Sequence, residues 1–531
     1  MRDCRISMNR HELIEIGSKV ATVCLCMLLG LCLCVPAQSQ IIKIPFLAVT
    51  CIAGGYTIIH SRGKIFAKQI WIWMGLYCIY NLAWSLLGFA NDQPGASNNF
   101  RLGVIWTIVF LFILAVIDTQ RIKWIDAVMI CVLLFQTIAI VAMVGYGFQW
   151  WPNLVAWLFP KTAVGIHLGY VQVTGHFIGG MAFSVPYVYC RLIIDPPKKK
   201  LSNILSVVFF GVVIQALVAS SRRMLLIVLT ICVLATIVVA FLQKEYRKAI
   251  ILRSVCGLIL TALFLSIAAV TVSAMTAKFL DENFDEIYEL TYKRQHTENG
   301  KIKNIKNVVL DIKGTEKYIE IFNPSIDQID PVETPVEPPI ETPIETPVEP
   351  PVEPPIEMPV EPPVEPSRPS GFQQFVDRII SLTGELTGDT ARGRIISGAL
   401  KGWKDKPIIG AGFGAELPGY EKEIGNGTYE MEYVVRLYTT GALGISALLG
   451  MLLYIGVAGI KQMQKSQEKL HIIAPCLVAY LGAVIATTSN PYIFSGFDFL
   501  WMLFLPIAFL NCCMKEEIES EEYDCLREGI Q

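Results

Sequence analysis

Residues Leu217–Leu229 read LVASSRRMLLIVL, with Arg222 and Arg223 side by side between two apolar runs. If 204–242 is one helix or folds on a cytoplasmic turn, the pair is an ordinary basic anchor. If 204–220 and 222–242 are two spans joined on the far side, the pair faces away from the cytoplasm. The surrounding chain decides between these. It is 53% hydrophobic and 17% charged, well below the roughly 25% charged of soluble domains, which marks an integral membrane protein. A net charge of −2, with no basic tail, gives no reason to expect nucleic acid as a partner.

Runs of about 18 apolar residues span a bilayer as helices. About twelve such runs lie near 17–35, 42–61, 70–90, 103–118, 124–146, 172–194, 204–220, 222–242, 252–274, 434–458, 472–489 and 494–512. The first follows a long, mixed-charge leader and precedes many further spans, so it reads as a retained helix rather than a signal peptide. Short loops rich in Lys and Arg face the cytoplasm. With the N-terminus inside, these loops carry Arg62, Lys64 and Lys68; Arg121 and Lys123; Lys198, Lys199 and Lys200; Lys244, Arg247 and Lys248; and Lys461, Lys465 and Lys469. The alternate loops are nearly free of positive charge, apart from Arg222 and Arg223. Twelve spans with both termini cytoplasmic therefore turn this pair outward, and placing it inside would invert every later loop.

The expected fold is all-α and polytopic in the cytoplasmic (inner) membrane, with one large extracytoplasmic loop. Residues 1–274 hold the first nine helices, 275–330 a polar stretch, and 331–370 a Pro/Glu-rich insert. Residues 371–433 form a helical part of the loop, 434–513 the last three helices, and 514–531 a cytoplasmic tail. Within the insert a Glu stands at every fourth position from Glu333 to Glu365. Proline fixes φ and the carboxylates repel, so the tract reads as a polyproline II spacer of about 100 Å at about 3.1 Å per residue. An SH3-type ligand is the other reading of such a tract, disfavoured by its acidity and its extracytoplasmic place. Phe372, Phe375, Val376, Ile379 and Leu382 then recur at helical spacing, as a surface amphipathic helix requires. The fifteen cysteines fall mostly in apolar runs without CxxC pairs, which suits small core residues better than metal ligands.

The segment Thr390–Glu416, TARGRIISGALKGWKDKPIIGAGFGAE, combines Arg392 and Arg394, a helix ending at Pro407, and a turn with Gly410, Gly412 and Gly414. Glu430 stands eleven positions before Gly441-Ala442-Leu443-Gly444. Ser221-Arg222-Arg223 opens a span, and Gly175, Phe177 and Ala182 lie upstream. In order and spacing these motifs resemble the O-antigen ligase and O-antigen polymerase family, over about residues 170–460. The family tends to carry Arg where Gln172 stands here, and its ligases carry a His at the closing motif. This chain has Tyr429-Glu430-Met431-Glu432-Tyr433 there. The missing histidine tilts the implied activity from ligation towards polymerisation.

The resemblance implies a metal-independent and cofactor-free glycosyltransferase. It would join polyprenyl-diphosphate-linked oligosaccharide units at the outer face of the bilayer, alongside a chain-length regulator and other polysaccharide assembly proteins. Arg222, Arg223, Arg392 and Arg394 are then the expected diphosphate ligands. Guanidinium offers planar bidentate donors and keeps its charge, although each arginine also suits a lipid-headgroup anchor. Glu430 and then Glu432 are the candidate bases for the acceptor hydroxyl, with a solvated pair of surface acids as the plain alternative. His167 and His176 lie near the sixth span and suit structural roles better. Rival classes are a multi-span transporter or flippase, a peptidoglycan-type polymerase (for which Asp389 is a weak candidate) and a structural subunit of a polysaccharide complex.

Overall fold

In lipid a backbone must satisfy its own polar groups, so long apolar runs become helices. The structure, a computed structural model, describes residues 2–36, 39–148, 150–152, 154, 164–167, 170–173, 176–220, 222–242, 247–297, 308–312, 315–320, 391–420, 429–465 and 467–528. Its helices are α1 (Arg2–Cys34), α2 (Gln40–His60), α3 (Lys68–Ala90), α4 (Ala96–Phe100), α5 (Trp106–Val116), α6 (Thr119–Gly147), α7 (His176–Ile194), α8 (Lys200–Ala219), α9 (Arg223–Ala240), α10 (Arg247–Thr297), α11 (Ala391–Asp405), α12 (Glu432–Met463), α13 (Gln467–Ala486) and α14 (Phe497–Glu528). A π-helical turn, Arg101–Ile105, joins α4 to α5.

Among the described residues eleven helices are long and apolar enough to cross a membrane. The twelfth expected position, Arg223–Val239, is apolar but shorter. The molecule is thus a helical, polytopic membrane protein. The 204–242 region is two helices and not one, because the chain breaks between Ala219 and Arg223.

The helices α7 and α14 run through the middle of the bundle, almost wholly enclosed over their spans, whereas α2 and the span of α10 expose most of their length. Phe177, Phe183 and Tyr187 of α7 and Trp501, Phe504 and Phe509 of α14 fill the core. The flanks α13 and α9 pack on α7, and α1, α5 and α13 close around α14.

Two features differ from the expected outline. The polar stretch after residue 274 does not begin as a loop, since α10 continues unbroken to Thr297. No proline or glycine interrupts 276–297, so nothing in the backbone stops the helix. Four short strands also join the helices: β1 (Val164–His167), β2 (Tyr170–Val173), β3 (Val308–Ile312) and β4 (Thr315–Glu320), in the order β2-β1-β4-β3. Each hairpin is antiparallel, and β1 runs parallel to β4 with Gly165 opposite Tyr318. The sheet ties the segment before α7 to the stretch of chain that follows α10. The Pro/Glu tract, the stretch from Phe372 to Leu382, and Asp389 lie outside the described residues.

Candidate functional site

The break between α8 and α9 is held in place by its own polar groups. Ser220 Oγ donates to Leu217 O at 2.7 Å, and the Ser220 carbonyl accepts Val173 N at 3.3 Å. Arg222, the residue before α9, donates from Nε to Val173 O at 2.9 Å. That bond anchors the guanidinium by one nitrogen. The two terminal nitrogens have no hydrogen bond among the described residues, and the side chain is half-buried. Arg223, one position on, is exposed, as the roughly 100° step between helical neighbours requires.

Above this end of the bundle α11 lies against a small satellite core of Ile395, Ala399, Ala411, Ala415, Leu417, Tyr429, Val435 and Tyr438. Its inner face is built of small residues because the contacts are close. A Cβ on Gly402 would meet the Tyr438 ring at 2.3 Å, and one on Gly398 would meet Pro418 O at 2.9 Å. Trp403 Nε1 donates to Pro407 O at 2.9 Å at the far end of the helix. This seating directs Arg392, in the first turn, toward Glu430, with Arg392 Nε at 2.7 Å from Glu430 Oε2. Arg394 is half-buried on the same helix and engaged with neighbours.

The glycine turn beside α11 is a clamp rather than an anion cradle. Gly410, Gly412 and Gly414 all have positive φ, 73°, 92° and 82°. The amides of Gly410, Ala411, Gly412 and Phe413 donate to Lys406, Tyr438, Thr439 and Trp84 carbonyls at 2.8–3.1 Å, so these four are not available to a phosphate. Opposite it, α12 kinks at Gly441 (φ 65°, ψ −176°), where a Cβ would meet Ile408 O at 2.2 Å.

Arg392 and Glu430 therefore pair at one end of the bundle, with Arg222 and Tyr492, the last in a short turn between α13 and α14, within electrostatic range of them. Burial pushes the Arg222 guanidinium down from its ordinary value, while Tyr492 and Glu430 act against that and Arg392 adds to it. Burial pushes the Tyr492 phenol up, opposed by Arg222. Tyr492 was not singled out in the sequence, because YIF in a polar loop carries no motif.

Glu430 and Glu432 part company at Met431, whose φ of 60° and ψ of 46° are left-handed. Glu430 stays exposed beside Arg392. Glu432 turns inward as the first residue of α12, where Arg436 Nε meets its Oε1 at 2.6 Å. Arg436 is sandwiched between the rings of Phe413 and Phe494, 4.4 and 4.8 Å from their centroids. It thus links the glycine turn to the loop that carries Tyr492. The i,i+4 spacing of Glu432 and Arg436 was the signal available for this pair.

Of the other named residues, Phe177 and Ala182 are buried in α7, Gln172 and His167 stand on strands β2 and β1, and His176 opens α7. Gly175 and Ser221 lie outside the described residues.

Fold and site define a polytopic helical membrane protein with ionisable groups gathered at one end of its bundle. No protein-family model matches the chain, and no curated protein matches it.

Proposed function

We propose that this protein is a membrane glycosyltransferase of the O-antigen polymerase or ligase type, acting on polyprenyl-diphosphate-linked oligosaccharides at the extracytoplasmic face. The observation that carries the proposal is the convergence of Arg222 and Arg392 on Glu430 from segments far apart in sequence. The positive-inside pattern turns this end of the bundle away from the cytoplasm.

The Arg392–Glu430 pair has side-chain exposures of 52% and 45%, and an exposed pair is worth only about 0–1 kcal/mol. An incoming diphosphate displaces Glu430 at little cost and takes Arg392 in its place. Arg222, held by Nε alone, offers its two terminal nitrogens to the same group. Two guanidinium groups then stabilise the negative charge that develops on the leaving diphosphate. Arg223 and Arg394 are the secondary candidates, as neighbours of the primary pair. Glu430, released from Arg392, becomes a hydrogen-bond acceptor that orients sugar hydroxyls without taking a proton, whereas Glu432 stays committed to Arg436.

All four site groups sit at helix ends, which suits interfacial transfer chemistry better than a transporter, whose sites lie near the membrane midplane. The chain-length regulator and other assembly proteins remain the expected partners. Arg222→Ala and Arg392→Ala in a strain making the cognate polysaccharide should each abolish long-chain polymer. Arg→Lys at either position should be nearly as damaging, because a point charge does not replace the bidentate fork. Full-length polymer in both alanine variants would overturn the site.

A further inference from the structure

Beside the arginine cluster lies a second group of ionisable side chains that the proposal above does not use. Lys43 of α2 and Asp498 of α14 form a buried ion pair, Nζ to Oδ2 2.7 Å. The Lys43 ammonium also donates to Val35 O at 2.8 Å and Pro36 O at 3.3 Å, so its three protons are all engaged. His176, at the start of α7, places Nε2 2.8 Å from Cys32 O and 3.5 Å from the same Asp498 oxygen. Both neighbours of Nε2 are acceptors, so Nε2 carries the ring proton. Nδ1 is then the basic nitrogen, and it has no hydrogen bond among the described residues. Phe499 stacks on the imidazole at 4.3 Å and packs edge-on to Tyr492 at 5.8 Å. Val173, whose carbonyl holds Arg222, is three residues before His176. The imidazole is thus one aromatic layer from the arginine cluster.

We infer that His176 is the general base that takes the proton of the acceptor sugar hydroxyl, with Asp498 and Lys43 as positioning residues. The inference rests on the transferase proposal and deepens it. In the step, the acceptor oxygen forms a bond to the donor anomeric carbon while its proton passes to His176 Nδ1. The bond from that carbon to the diphosphate oxygen breaks, and its electron pair leaves on the diphosphate beside Arg222 and Arg392. The Nδ1 proton then passes to water. Asp498 stabilises the imidazolium formed in this step, and the Cys32 carbonyl fixes the tautomer that precedes it. Among the described residues the ionisable side chains facing the ring are Asp498 from α14 and Lys43 from α2, while Cys32 of α1 meets it through its backbone carbonyl.

The test uses full-length protein in nanodiscs, lipid-linked glycans extracted from a strain lacking this chain, and farnesyl diphosphate as a binding probe. His176→Gln should lower kcat by about 100-fold or more with farnesyl diphosphate binding unchanged, and should erase the rising limb of the pH–rate profile. Asp498→Asn removes the charge that favours imidazolium, so the limb should move to lower pH. A His176→Gln protein within threefold of wild type overturns the inference. The transferase proposal then stands if Arg222→Ala and Arg392→Ala still lose transfer, and both readings fall if those variants, or the wild-type protein, contradict it. Should His176→Gln or Asp498→Asn fail to fold, the double variant Lys43→Met/Asp498→Asn, which leaves no buried charge unpaired, decides by the same profile: the limb should still move to lower pH, and an unmoved limb overturns the inference.

Discussion

Replacing Glu432 by Gln separates a structural acid from a chemical one. The Glu432 and Arg436 side chains are 5% and 9% exposed and 2.6 Å apart. Removing the carboxylate strands a guanidinium between two phenyl rings, a loss of about 3–5 kcal/mol for one partner of a buried pair. Arg436→Met strands Glu432 and should cost as much. The double variant Glu432→Gln/Arg436→Met leaves no buried charge. It loses two cation–π contacts, each about 0.5–2 kcal/mol, and regains sulfur–aromatic contact of about 0.3–1.5 kcal/mol. It should therefore lie within about 2–3 kcal/mol of wild type and above either single variant. Unfolding in mixed micelles followed by tryptophan fluorescence measures stability, and glycan transfer measures function. A structural acid predicts that stability and activity fall together in Glu432→Gln and recover together in the double variant. A Glu432→Gln protein as stable as wild type but inactive would refute the reasoning and return Glu432 to the chemistry.

Three further outcomes are expected. Gly412→Ala places a Cβ 2.5 Å from Gly88 N at a φ of 92°. Left-handed strain of about 1–2 kcal/mol and overpacking of about 1–3 kcal/mol should destabilise the fold, whereas Gly456→Ala, with nothing within 4 Å, should be neutral or stabilising in the same unfolding assay. Arg223→Cys should react with a membrane-impermeant maleimide added to intact cells above the wild-type background, and labelling only after permeabilisation would put this end of the bundle inside. Deleting residues 335–366 should leave measurable glycan transfer, and complete loss would show that the Pro/Glu tract is more than a spacer.

The helices were legible because lipid converts apolar length into helix almost without exception. The break at Ser220–Arg222 was legible for the same reason, since two basic residues interrupt otherwise continuous apolar sequence. Long-range pairing was not. Lys43 and Asp498 are polar residues at the ends of apolar runs, and each alone reads as an interfacial flank. Only the fold brings Lys43 to Asp498 and makes them a buried pair. The glycine turn was found as a motif, but its chemistry was not, because sequence does not say whose carbonyls take its amides.

Local geometry also supplies a physical reason for placing Glu430 ahead of Glu432 that the sequence, which ranked them in that order by position in the motif, did not contain. Both follow Tyr429 in a run of alternating acids, and a single left-handed residue, Met431, sends them to opposite environments. The consequence bears directly on function. Arg392–Glu430 and Arg436–Glu432 are the same chemical pair at nearly the same distance, 2.7 and 2.6 Å, yet they differ about fivefold or more in exposure. Solvent already weakens the first, so an anion with more charge than a carboxylate exchanges into it readily. The second is enclosed by rings that no ligand displaces without unpacking α12 from Phe413 and Phe494. A diphosphate arriving at this end of the bundle therefore meets one pair that opens and one that holds the site in shape.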